Sequence, residues 1–137
     1  MAIRVESMTP LIQVFDMTTS VAFYCNVLGF ELLQRSQEGD HFDWCLLRLN
    51  DTRLMLNTAY EKEFRPSVPD PARVAAHDDT ALFFLCRDVD TAYTCLQSKG
   101  IRLDPPKNAP YGMRQLYLKD PDGYVICFQW PSEEGAA

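Results

Sequence analysis

The 137 residues predict an α+β fold of two tandem βαβββ modules, with mixed sheets curved round a cavity and helices outside. Three observations carry this expectation. Short alternating strands surround one helical stretch, the same order restarts after a proline-rich gap, and matching residues of the two halves keep a nearly constant offset. Each element follows from a local pattern.

Residues 9–15 (TPLIQVF) alternate in polarity and read as a strand. Residues 16–20 (DMTTS) supply helix-capping side chains. The next stretch, VAFYCNVL, repeats apolar residues at Val21, Tyr24, Cys25 and Leu28 before Gly29 stops the helix. Strands are expected over residues 30–36, 42–49 and 52–58, with turns at Glu38-Gly39-Asp40 and Asn50-Asp51. The pattern lapses between residues 59 and 79, where Pro66, Pro69 and Pro71 stand among scattered charges, and a linker is expected there, either a boundary or a loop over a site.

The grammar then restarts. Residues 80–87 (TALFFLCR) read as a strand, and Asp88 opens a helix that stops at Gly100. A strand begins at residues 101–103. The stretch 112–130 (GMRQLYLKDPDGYVICFQW) forms a hairpin around Asp120-Pro121-Asp122-Gly123, because proline presets φ and glycine supplies a positive one. Ala81, Asp88 and Cys127 each lie 72 positions after Thr9, Asp16 and Met55, whereas Gly100 lies 71 after Gly29. The second helical segment is thus one residue shorter than the first. The modules occupy about residues 8–60 and 79–131, joined by a linker at 61–78.

Composition bounds the function. With 47% hydrophobic and 23% charged residues, the chain has the balance of an ordinary globular domain. No apolar run reaches the roughly 18 residues that span a bilayer, and the N-terminal MAIRVESMTP lacks the apolar core of a signal peptide, so a cytoplasmic location and no membrane partner are expected. The formal charge of −6 offers no basic stripe to nucleic acid and is compatible with a cationic small molecule. The five cysteines are odd in number and form no C-x-x-C pair, as expected of reduced, largely buried thiols.

Alternation also assigns faces. Ile12, Val14, Cys45, Leu47, Leu54 and Leu56 in the first half, with Leu116, Leu118, Tyr124, Ile126, Phe128 and Trp130 in the second, form the helix-packed faces. The opposite, mixed faces would line the cavity. They hold Thr9, Gln13, Phe15, Phe42, Trp44, Arg48, Met55 and Asn57, and then Phe83, Met113, Gln115, Tyr117, Cys127 and Gln129. Aromatic and methionine side chains with a few amides, a hydroxyl and one guanidinium are the make-up of an organic-ligand pocket. The expected ligand-binding set is Gln13, Phe15, Trp44, Arg48, Met55, Asn57, Phe83, Met113, Gln115, Tyr117 and Cys127.

The run Asp16-Met17-x-x-Ser20-x-x-Phe23-Tyr24-x-x-x-Leu28-Gly29-Phe30, together with Gly112-Met113-Arg114 leading into Asp120-Pro121-Asp122-Gly123-Tyr124, resembles the vicinal oxygen chelate superfamily. That family takes in glyoxalase I, extradiol dioxygenases and the fosfomycin- and bleomycin-resistance proteins. The resemblance covers about residues 8–131 and implies the glyoxalase/bleomycin-resistance-like fold. It implies a divalent metal in the enzymes, held by His, Glu or Gln at positions that fall here on Thr9, Met55, Ala81 and Cys127. None of these is a His, Glu or Gln.

The expectation is therefore a metal-free, cofactor-free binding protein that sequesters a small organic molecule, as a homodimer with no assigned catalytic residue. The alternative is a divalent-metal-dependent lyase, isomerase or dioxygenase with a displaced ligand set, such as His77 with its neighbouring carboxylates. A metal-free version would use Cys127 as nucleophile with Tyr117 as acid. A third possibility is a closed cavity and a purely protein-interaction role.

Overall fold

A computed structural model describes residues 2–133. The chain divides between Ser67 and Val68 into two compact units. The first holds β1 (Leu11–Val14), α1 (Met17–Ala22), β2 (Glu31–Arg35), β3 (Trp44–Leu49) and β4 (Thr52–Thr58). Its sheet runs β1-β4-β3-β2, with β1 parallel to β4 and the other pairs antiparallel. Asp16 caps α1, accepting the Thr18 N–H at 3.2 Å and the Thr19 hydroxyl at 2.9 Å. The first of these bonds satisfies a backbone donor that the first turn leaves without an intrahelical acceptor, and the second holds the carboxylate in place.

The helix does not continue as α. Residues Phe23–Val27 form a π-turn, in which Leu28 N–H reaches Phe23 O at 3.1 Å, five residues back. A π-turn holds one more residue than an α-turn. The 71-residue spacing from Gly29 to Gly100 thus marks an extra residue housed in the first unit. Tyr24, in this turn, is fully buried and meets the Phe30 ring edge-on at 5.8 Å.

In the second unit β5 (Ala81–Leu85), α3 (Val89–Ser98), β6 (Lys107–Asn108), β7 (Met113–Lys119) and β8 (Val125–Pro131) repeat the plan, with sheet order β5-β8-β7-β6. Asp88 caps α3 through Thr91, whose N–H and hydroxyl it accepts at 3.0 and 2.7 Å. Those bonds hold the Asp88 carboxyl below its ordinary range. The expected strand at residues 101–103 is absent. Between α3 and β7 the one ladder strand among the described residues is the two-residue β6, which follows Pro105 and Pro106, residues with no N–H to donate.

One face of each sheet carries the core. In the first unit Val14, Cys45, Leu47 and Leu56 are fully buried and Leu54 nearly so, beneath Met17, Ser20 and Tyr24. In the second, Leu116 and Ile126 are fully buried, and Leu118, Tyr124 and Phe128 nearly so, beside Val89 and Leu96 of α3. Burying each such aliphatic side chain contributes about 1.5–3 kcal/mol. The expected helix-packed faces are thus buried in both sheets except at Trp130, which is half-buried, while Cys127 and Gln115 of the mixed face are buried as well.

The linker is not simply solvated. It contains α2 (Pro71–Ala76), with Asp70 as cap accepting the Ala72 N–H at 3.0 Å and Pro71 in the first turn. This helix docks on the hairpin turn of its own unit. The His77 ring stacks on Tyr124 at 4.1 Å between centroids, and its Nδ1 lies 2.7 Å from the Asp122 carbonyl, so Nδ1 carries the proton and donates. Lys119 pairs with Asp78 at 2.9 Å. Gly123, at φ +86°, is approached so closely that a Cβ would lie 2.8 Å from the Val74 carbonyl oxygen.

Candidate functional site

The mixed face of the second sheet is the best-defined candidate. Register places Phe83 of β5, Cys127 of β8 and Tyr117 of β7 in one row. Outer strands of a three-strand row stand about 9.6 Å apart. The Phe83 and Tyr117 rings nevertheless meet edge-on at 6.1 Å and 85°, so they lean together over the central strand. Cys127 beneath them is fully buried, while Phe83 stays 49% and Tyr117 44% exposed.

The next row, Leu85, Gln129 and Gln115, supplies polarity. Gln115 is buried, and its Nε2 donates to Tyr111 Oη at 2.8 Å and to Gln129 Oε1 at 2.9 Å. The Tyr117 hydroxyl donates to Gln115 Oε1 at 3.3 Å. Such a network fixes the amides, and buried amides keep their orientation only when paired in this way. Met113 is half-buried at the start of β7, opposite Pro131.

Both protonic groups of the Phe83–Cys127–Tyr117 row are shifted toward their protonated forms. Burial pushes the Cys127 thiol up, and the thiol, not the thiolate, is a poor nucleophile. Loss of water, and then the adjoining thiol, push the Tyr117 hydroxyl up to about 12. The hydroxyl is thus held in its protonated form, in which it donates to Gln115.

In the first unit Gln13, Trp44, Met55 and Asn57 come together as expected on the mixed face. Trp44 pairs with Asn57, Asn57 with Gln13, and Met55 with Leu11 and Leu46. Asn57 Nδ2 donates to Gln13 Oε1 at 3.3 Å. Two expected site residues stand apart. Arg48 is held by Glu31 across the β2–β3 pair, with Nε 2.8 Å from Oε1, so the guanidinium already has its counter-ion. Phe15 lies beyond the end of β1 and meets Tyr60 edge-on at 6.3 Å.

Sequence reasoning left Tyr111 and Leu85 out of the site, although they are 68% and 73% exposed and border this face. Leu85 shares the parity of Phe83 and was readable from alternation. Tyr111 is in a loop turned by Gly112 at φ +87°, where strand periodicity says nothing.

The four family metal positions offer a hydroxyl at Thr9, a thioether at Met55, a methyl at Ala81 and a buried thiol at Cys127. Magnesium, manganese and iron sites need oxygen and nitrogen donors and a zinc site needs several thiolates, imidazoles or carboxylates, so one buried thiol with a hydroxyl, a thioether and a methyl does not fit them. Among the described residues no group of three or more His, Cys, Asp or Glu could hold an ion. His77 and Asp78 of the alternative set are engaged with Asp122, Tyr124 and Lys119 instead.

Residues 5–128 match the model of the Glyoxalase/Bleomycin resistance protein/Dioxygenase superfamily. The chain belongs to that superfamily. The likeness extends to individual proteins. The uncharacterized protein YaeR of Escherichia coli strain K12 is 30% identical over 81% of this chain and 84% of its own. The crystal structure of TnmS3, an antibiotic binding protein from Streptomyces sp. CB03234, is 32% identical with a TM-score of 0.70, covering 96% of this chain and 99% of that one. A bleomycin resistance determinant encoded on transposon Tn5, at 23% identity and a TM-score of 0.69 over 94% and 99% of the two chains, shares the superfamily fold. Among the described residues no helix is long and apolar enough to cross a membrane.

Proposed function

We propose that the protein binds and sequesters a small organic molecule, without a metal and without turnover, on the mixed faces of its sheets. The observation that carries this reading is the Phe83–Tyr117 pair, half-exposed above a buried thiol and backed by a paired amide network. Exposed rings on an otherwise packed sheet leave apolar area that a ligand can cover, and fixed amides give such a ligand its orientation. The likeness to an antibiotic binding protein over nearly the whole of both chains supports the same reading. So does the donor set at Thr9, Met55, Ala81 and Cys127, which is unsuited to catalytic metals. The protein acts as a cytoplasmic homodimer in this reading, and light scattering checks the dimer.

The test is calorimetric titration with bleomycin, daunorubicin and anilinonaphthalene sulfonate, with and without excess EDTA. At least one should saturate the protein with unchanged affinity in EDTA, and Phe83→Ala should weaken it about tenfold, the scale of one lost aromatic contact. Binding that vanishes on chelation and returns with Mn, Ni or Zn would overturn the proposal. Failure of all three probes to saturate the protein would do so too.

A further inference from the structure

The first unit carries a cavity of about 450 Å³ beyond the ends of β1 and β4, lined by residues of that unit alone. Its walls are aromatic. Phe15 and Tyr60 follow the two neighbouring parallel strands, and Phe42, only 9% exposed, closes the side. Its rim is acidic, with Asp16, Asp40 and Asp43. The Asp16 carboxylate is fixed in place by its capping bonds to Thr18 and Thr19. Among the described residues, no ion pair engages Asp40 or Asp43.

One cation already sits there. The Arg65 guanidinium lies 5.3 Å from the Phe15 ring centroid and 3.6 Å from Asp16 Oδ1. Both contacts are of the weak, solvent-shared kind, because the Arg65 and Asp16 side chains are 43% and 40% exposed. Every residue from 61 to 67 is exposed, so little burial is lost if this segment lifts. With Lys62 also at the rim, three carboxylates face two cations; without Arg65 they face one.

We propose that this cavity is a binding site for an organic cation bearing a guanidinium, amidinium or alkylated ammonium group, and that Arg65 is its tethered competitor. The aromatic wall takes the flat or alkylated face of the cation, and the fixed Asp16 carboxylate with Asp40 and Asp43 supplies the countercharge. A ligand enters by displacing one loosely held side chain rather than by opening a packed core. The site is independent of the Phe83–Tyr117 face and of any reading of it.

The test is titration of the full chain with benzamidine, protonated at neutral pH, and with neutral benzamide, followed by amide chemical shifts. Benzamidinium should shift the amides of Phe15 to Thr18 saturably, and benzamide should not. Arg65→Ala and Arg65→Gln, both at an exposed position, should tighten benzamidinium by about 3- to 30-fold, the range of one exposed cation–π contact plus one exposed ion pair. The Asp40→Asn, Asp43→Asn double variant and added salt should weaken it. Phe83→Ala should leave it unchanged, which separates this site from the sheet face. Equal shifts with benzamide, absence of saturation, or an affinity that does not rise on removal of Arg65 would overturn the proposal.

Discussion

Replacing Gly123 by Ala should be among the most damaging single-methyl additions in this protein. Two costs add. At φ +86° an alanine enters the left-handed region, at about 1–2 kcal/mol. The new Cβ would also stand 2.8 Å from the Val74 carbonyl oxygen and 3.0 Å from Val74 Cγ1. The first neighbour is backbone of α2, and α2 is pinned by the His77 stack on Tyr124, by the His77 bond to Asp122 and by the Lys119–Asp78 pair. Relief therefore means shifting a helix, and overpacking of this kind costs about 1–3 kcal/mol. The total is about 2–5 kcal/mol, or a fall of about 1–2.5 M in urea midpoint at a slope of about 2 kcal/mol/M. Gly100→Ala is the control, since it shares the positive φ of +82° but meets nothing within 4 Å. It should cost only the conformational share, about 1–2 kcal/mol. Urea melts followed by circular dichroism, with hydrogen exchange of the α2 amides, read both variants. Equal losses for Gly123→Ala and Gly100→Ala, with α2 exchange unchanged, would refute the docking of α2 on the turn.

The other predictions use the same structural detail. Asp120→Ala should destabilise by about 2–4 kcal/mol, because the buried carboxylate accepts the Asp122 and Tyr124 N–H groups at 2.9 Å each, and urea melts report the loss. Tyr117→Ala should weaken organic-ligand binding about tenfold while changing stability by less than about 1.5 kcal/mol, since the side chain is 44% exposed; titration and melting of the same sample separate the two effects. Stability should fall in alkali. Burial raises the Cys45 thiol from 9.0 to about 12, so the unfolded chain ionises first and stability drops by up to about 1.4 kcal/mol per pH unit inside that window. Cys127 is shifted in the same direction. Cys45→Val should flatten the alkaline limb, and an unchanged slope would count against burial as its origin.

Much of the fold was legible because local signals agreed with tertiary packing. The alternation in residues 44–58 of β3 and β4 assigned Cys45, Leu47, Leu54 and Leu56 to the buried face, where they all lie. The turn at Asp120 was equally plain from proline and glycine placement. The prolines near residue 70 were misleading for a physical reason. Pro71 after Asp70 is a helix-start signal, since a proline at the first helical position lacks only an N–H that the helix would not bond, yet among other prolines it resembles a loop. The site was less legible. Parity could place Arg48 on the mixed face, but only the β2–β3 pairing shows Glu31 beside it. Parity could likewise place Cys127 between Phe83 and Tyr117, but not the inward lean of the two rings that shuts the thiol away.

The π-turn at Phe23–Val27 bears on how such a chain tolerates changes of length. An insertion into a regular α-helix rotates everything after it by about 100° and would turn buried side chains toward water. Here one widened turn absorbs the surplus. Tyr24 stays in the core, and the helical segment still ends on a left-handed glycine, Gly29 at φ +94°, as the shorter α3 segment ends at Gly100. The two halves can thus differ by a residue without either sheet losing its register, and removing the exposed Asn26 should convert the wide turn into an ordinary one of the length found in the second unit.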